Sequence, residues 1–176
     1  MTAATYPDSI VERRPLDWLR PHPLNPRGPV VEDDSLRELA ASIAEHGILQ
    51  PLVATLDGLM LAGHRRAAAA RLAGLTEAPV RLLVMDPAHQ LAAMLVENVQ
   101  RNDLTPLQLA RAMRHLREMG RSAAEIARMT GKSVAWVHDL LRLGKLPDDV
   151  MELVETGALS VMQGIELARF ADRPEL

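Results

Sequence analysis

At 176 residues the chain can bury a real core and suits one domain with a smaller companion. The absence of cysteine excludes disulfides, thiolate zinc sites and Cys-ligated iron–sulfur clusters, and fits a reducing compartment. Net charge is −3, but Arg101 to Leu146 carries nine Lys/Arg against four Asp/Glu, so a basic middle lies between acidic flanks. That is the footprint expected if only the middle touches DNA. The only four aromatics, Tyr6, Trp18, Trp136 and Phe170, argue against gripping single strands by base stacking. No apolar run approaches the ~18 residues that span a bilayer, and no signal peptide opens the chain, so a cytoplasmic protein without a membrane partner is expected.

Residues 1–13 lack periodicity and are expected to form a flexible tail. Pro15 to Trp18 suits a short strand, and Pro21 to Pro29 is a proline-punctuated loop whose reactive members are Asn25 and Arg27. Ser35 with Glu38 reads as a capping box, and Leu36, Leu39, Ala40 and Ile43 share a helical face that Gly47 ends. Ile48 to Val53, which includes Gln50, leads into a strand, with Asp57-Gly58 as a hairpin turn. The partner strand Leu59 to Ala62 stops at Gly63, and a helix follows to Leu72. Pro79 to Val84 reads as a further strand.

From Pro87 the pattern turns helical, with Leu91, Ala92, Leu95 and Val99 as the buried stripe and Glu97-Asn98-Val99-Gln100-Arg101 near the end. Thr105 with Gln108 is a second capping box; the helix it opens turns Leu109, Met113 and Leu116 inward and Arg111, Arg114 and Arg117 outward. Ser122 with Glu125 opens a two-turn helix, Gly131 supplies a tight turn, and Ser133 caps the next helix, which runs to Leu143. With Val134, Val137 and Leu141 inward, this is a helix-turn-helix. Its outward face would carry Lys132, Ser133, Ala135, Trp136, Asp139 and Arg142, with Ser122 at the start of the unit, as DNA-contacting candidates. Pro147 starts one more helix, and Ser160 with Gln163 caps the last. Domain boundaries are placed at 14–103 and 104–176.

Two constellations carry chemistry. A strand that turns through Gly63 into a helix presents unpaired amides and the positive end of the helix dipole, and Arg65 and Arg66 add two guanidiniums: a site for a polyphosphate. It is not a Walker A loop, since the lysine and the Ser/Thr are missing. Glu97 and Asn98 supply hard oxygen ligands suited to Mg²⁺. The six histidines show no metal-ligand spacing, and the serines are better explained as caps than as nucleophiles.

In their order, the Asn25-Pro26-Arg27 loop, Gly47-Ile48-Leu49-Gln50-Pro51, Gly63-His64-Arg65-Arg66-Ala67, Glu97-Asn98-Val99-Gln100-Arg101 and Gly131-Lys132-Ser133 make the chain resemble the ParB-type partition proteins, a family that includes KorB-like repressors and nucleoid-occlusion factors. The resemblance implies an α+β fold: a small ParB/sulfiredoxin-like nucleotide-binding domain followed by an all-α helix-turn-helix domain. It implies a CTP-switched DNA clamp, in which the first domain binds CTP with Mg²⁺, the second recognises a palindromic centromere-like site in double-stranded DNA, and two first domains then close over the DNA. On that pattern Asn25, Arg27, Gly47, Gln50, Gly63, His64, Arg65, Arg66, Ala67, Glu97, Asn98 and Arg101 would line the nucleotide site, Asn98 with Glu97 would meet the metal, and Glu97 would serve slow hydrolysis to CDP and phosphate. A self-association driven by nucleotide, a ParA-type ATPase partner and a nucleoid or plasmid location follow as further implications.

The chain departs from the family's pattern in three ways. His64 stands where the family commonly has glutamate, which puts hydrolysis in doubt more than binding. A C-terminal dimerisation domain of the family's kind is not expected within 104–176, and the peptide that engages the ATPase is not recognisable in 1–13. Two other classes compete: a plain helix-turn-helix repressor without nucleotide switching, and a phosphotransferase or nuclease built on the α/β domain.

Overall fold

The structure, a computed structural model, describes residues 10–100 and 104–171. These fall into two compact units that divide between Asp86 and Pro87.

In the first unit the order is β1 (Ile10–Pro15), a 3-10 turn (Leu16–Trp18), β2 (Arg20–Pro21), α1 (Asp34–His46), β3 (Leu52–Thr55), β4 (Leu59–Ala62), α2 (His64–Leu72) and β5 (Glu77–Leu83). The strands form one mixed sheet in the order β1-β5-β3-β4-β2. β3 and β4 are an antiparallel hairpin, while β5 returns parallel to β3 after the α2 crossover. The hairpin turn is built by Thr55, whose buried hydroxyl donates to Asp57 Oδ1 at 2.6 Å and accepts Leu59 N–H at 3.0 Å. That hydrogen bond holds the Asp57 carboxyl below its usual range. The core takes Leu36, Ala40 and Ile43 from α1, Ala67, Ala69 and Ala70 from α2, and Leu52, Ala54, Met60 and Val80 from the sheet. Alanine on α2 lets α1 and α2 approach closely. Arg71 ties the end of α2 to the 3-10 turn, donating to the carbonyls of Leu16 at 2.6 Å and Leu19 at 3.2 Å.

Three expectations change here. Residues 10–13 are not tail: they belong to β1, which runs antiparallel along β5 from Ile10 opposite Leu82 to Pro15 opposite Glu77. The ladder, not burial, holds this edge strand, so it has no buried face for hydrophobic alternation to reveal. Past Pro15, which ends β1, Leu16–Trp18 is a 3-10 turn that buries Leu16, not a strand. Ile48 to Val53 does lead into a strand, with β3 starting at Leu52 after the exposed Leu49 and Pro51, which has no N–H to donate. The cap of α1 is Asp33, which accepts Leu36 N–H at 2.7 Å, and Ser35 lies inside the first turn. Gly47 ends α1 as expected.

The second unit is all helical: α3 (Pro87–Gln100), α4 (Pro106–Glu118), α5 (Ala123–Thr130), α6 (Val134–Leu143), α7 (Asp148–Glu155) and α8 (Val161–Ala171). α3 packs on α4 and α5, so the helix that carries Glu97 and Asn98 shares its core with the helices after it. Its buried face is Ala88, Leu91, Ala92, Met94, Leu95 and Asn98, with Val99 only half-buried. Capping boxes form at Thr105/Gln108, Ser122/Glu125 and Ser160/Gln163, each at the expected residue. On α4, Leu107, Ala110, Met113 and Leu116 face the core, Leu109 is half-buried, and Arg111, Arg114 and Arg117 are exposed. Among the described residues no helix is long and apolar enough to cross a membrane.

Candidate functional site

The turn at Gly63 has φ +90° and ψ 20°, a left-handed conformation that favours glycine. A Cβ at this residue would stand 2.7 Å from Leu52 Cδ2, so both backbone and packing require glycine. α2 therefore begins directly at His64 without a side-chain cap. The first helical bond runs from Ala67 N–H to Gly63 O at 2.9 Å, so the amides of His64, Arg65 and Arg66 lie in the first turn, ahead of any intrahelical acceptor.

The guanidiniums beside this turn are held. Arg65 forks onto Asp33, with Nη2 to Oδ1 at 3.1 Å and Nη1 to Oδ2 at 3.3 Å, and Nη2 also donates to Ser35 Oγ at 3.0 Å. This hydrogen bond to Arg65, followed by the amide of Leu36, keeps the Asp33 carboxyl below its usual range. Arg66 donates to the main-chain carbonyls of Gln50 and, at 3.1 Å, Pro51, so Gln50 joins the turn through its backbone while its residue surface is exposed.

Asn25 organises the proline loop: its Oδ1 accepts Arg27 N–H at 3.3 Å and its Nδ2 donates to Gly28 O at 2.8 Å. Arg27 is exposed, and Gly47 sits at the end of α1. Ala67 follows in the first turn of α2. It is 0% exposed in the core, and its N–H is bonded to Gly63 O.

In the second unit Asn98 is 4% exposed and its Nδ2 donates to Met94 O at 2.6 Å. Its Oδ1 is buried with no hydrogen-bond partner among the described residues. A buried acceptor of that kind is costly unless something meets it, and a carbonyl oxygen fits a Mg²⁺ ligand. Glu97 precedes it and is half-buried. Arg101 lies outside the described residues. Among the described residues no cluster of three His, Cys, Asp or Glu side chains could hold a metal.

α5 and α6 form the helix-turn-helix. Gly131, at φ +67°, makes the turn, and Lys132 N–H closes it on Ala127 O at 3.0 Å. Ile126, Ala127 and Thr130 of α5 are buried, as are Val137, Leu140 and Leu143 of α6. Val134 is 41% exposed and Leu141 half-buried, against the expectation that both turn inward. The stripe that packs is 137/140/143, so Val134, in the first turn, joins the outer face beside Lys132, Ser133 and Ala135.

Several DNA-contacting candidates already have local work. Ser133 Oγ caps α6 by accepting Trp136 N–H at 3.1 Å, and Ser122 Oγ accepts Glu125 N–H and donates to Glu125 Oε2 at 2.6 Å. Lys132 Nζ stands 5.7 Å from the centroid of the Trp136 ring. Asp139 Oδ1 pairs with Arg142 at 3.0 Å and with Arg169 at 3.6 Å.

The ParB N-terminal domain matches residues 2–99 and the ParB HTH domain residues 102–175. The chromosome-partitioning protein Spo0J of Thermus thermophilus is 42% identical over 153 residues, which cover 85% of this chain and 56% of that protein. The stage 0 sporulation protein J of Bacillus subtilis is 36% identical over 173 residues, 96% of this chain and 61% of that protein. Among solved structures, the C-terminally truncated chromosome-partitioning protein ParB from Caulobacter crescentus, complexed to the centromeric parS site, superposes with a TM-score of 0.65 at 30% identity, over 89% of this chain and 84% of that one. Fold and sequence define the class together: an α+β unit of the ParB N-terminal type followed by an all-α helix-turn-helix unit. The chain belongs to the ParB family. It spans 56% and 61% of the lengths of the Thermus and Bacillus relatives.

Proposed function

We propose that this protein is a sequence-specific DNA-binding partition protein whose hold on DNA is switched by CTP. The observation that carries the DNA reading is the α5–Gly131–α6 unit, which leaves Lys132, Ser133, Val134 and Ala135 exposed at the start of α6. In a helix-turn-helix this first turn of the second helix enters the major groove, and surrounding arginines meet phosphates. The Caulobacter protein complexed to the centromeric parS site, at 30% identity, supports a centromere-like site for this chain. Anisotropy with a parS duplex against a scrambled duplex tests this. The cognate duplex binds more tightly and its affinity falls steeply with salt as counterions are released; equal affinity for both duplexes contradicts the proposal.

For the nucleotide, the first unit offers the amides that open α2 and the guanidiniums of Arg65 and Arg66 to phosphates, with Asn25, Arg27, Gly47 and Gln50 completing the site. Gly63 lets the main chain approach a phosphate, and His64 stands where a family glutamate would serve hydrolysis. Within the second unit, Asn98 Oδ1 and the Glu97 carboxylate are the oxygen donors of a kind that Mg²⁺ would take. Glu97 would orient water for slow turnover. The protein would then close as a nucleotide-dependent dimer on DNA, in the nucleoid or on a plasmid, with a ParA-type ATPase as partner. A repressor without nucleotide switching would keep parS affinity unchanged by CTP, which separates the two readings.

A further inference from the structure

The Arg65 guanidinium occupies a position that serves two customers. Its fork is filled by the Asp33 carboxylate at 3.1 and 3.3 Å, with Ser35 Oγ at 3.0 Å completing the set. The same Asp33 Oδ1 accepts Leu36 N–H at 2.7 Å as the N-cap of α1. A planar guanidinium fork takes a carboxylate or a phosphate in the same bidentate geometry, so an anionic phosphate and Asp33 compete for one set of donors.

We propose that Asp33 is a positioning residue which holds Arg65 in the ligand-free chain and gives it up to a nucleotide phosphate. The proposal rests on the reading of the α2 start as a phosphate site, and it adds a consequence. Arg65 sits on α2 and Asp33 caps α1, and these two helices pack on each other, so phosphate capture is linked to the capping end of α1. When phosphate takes the fork, Asp33 turns from it and keeps only its capping role toward Leu36. Like charge favours that separation. Both side chains are partly exposed, Arg65 at 30% and Asp33 at 52%, so the exchange needs no opening of the core and the pair competes only modestly.

Asparagine caps a helix about as well as aspartate, so Asp33→Asn removes the charge and leaves the cap. Wild type, D33N, D33E, R65A and D33N/R65A are titrated with CTP in Mg²⁺ and, separately, with inorganic tripolyphosphate, and thermal melts check that each variant is folded. D33N should bind both probes about two- to fivefold more tightly, the range an exposed ion pair allows, and D33E should return to the wild-type affinity. In the R65A background the same substitution should give no gain, because the competitor acts only through Arg65. Unchanged or weaker binding by D33N overturns the proposal, and so does a gain that persists without Arg65, which would mean general charge repulsion. Wild type that binds neither probe overturns the phosphate site itself, a result distinct from either.

Discussion

Gly63→Ala tests whether the start of α2 is built as described. Two costs are separable. Alanine at φ +90° occupies the left-handed region, at about 1–2 kcal/mol. Its Cβ would also stand 2.7 Å from Leu52 Cδ2, and Leu52 is 0% exposed and cannot swing into solvent. Overpacking of that kind costs about 1–3 kcal/mol, so the total is roughly 2–5 kcal/mol, a large share of a domain's ~5–15 kcal/mol. Guanidinium melts give the number. Gly131→Ala is the control, since φ is +67° there but nothing lies within 4 Å of the added Cβ, and it should show the backbone cost alone. In a Leu52→Ala background the G63A cost should shrink by the packing share, a coupling of about 1–3 kcal/mol. A G63A cost no larger than that of G131A, or no coupling to Leu52, would refute the close approach at this turn.

Three further outcomes are expected. Trp136→Ala or Lys132→Ala should weaken binding to a parS duplex in an anisotropy assay, because the exposed Lys132 stands over the half-buried Trp136 ring beside the first turn of α6; unchanged affinity in both would mean that another face meets DNA. His64→Glu should raise CTP turnover in a phosphate-release assay while leaving CTP affinity within a few-fold, and Glu97→Gln in that background should abolish the gain; a mutant no faster than wild type would show that residue 64 does not limit hydrolysis. Glu125 and Asp33 lie below their ordinary 4.5 and 3.8, chiefly through the hydrogen bonds from Ser122 and Arg65. Depressed carboxyls stabilise the fold above those ordinary values and lose that contribution as pH falls below them. The urea midpoint should therefore drop on acidification below about pH 4.5, and Ser122→Ala should flatten part of that drop; a drop equally steep with and without Ser122 would contradict the assignment.

What the sequence reveals best is what local chemistry decides. Thr105, Ser122 and Ser160 cap because their partners lie three residues on, and the strand–Gly63–helix passage is a run of neighbours. The helix-turn-helix is legible for the same reason. Asp33 is missed as the cap of α1 because Asp33, Asp34 and Ser35 are all of capping type, and the Arg65 that braces Asp33 and Ser35 lies 30 positions beyond Ser35. The acidic run before the helix was the available signal. β1 is missed because an edge strand held by its ladder leaves little burial pattern. Val134 is misplaced because a helix of ten residues tolerates two adjacent phases until its neighbours select one. Asn25 and Ser122 show a different limit: residue type suggests a ligand role, and only the folded contacts reveal that each already serves the fold.

The glycine–arginine turn is proposed to make this chain respond to CTP. Calorimetric titration of the protein with CTP in Mg²⁺, beside identical titrations with ATP and GTP, tests it most directly. Saturable heat with CTP that ATP and GTP do not give, lost in Arg66→Ala, is the predicted result. No heat with CTP beyond that of the other two nucleotides would contradict the claim.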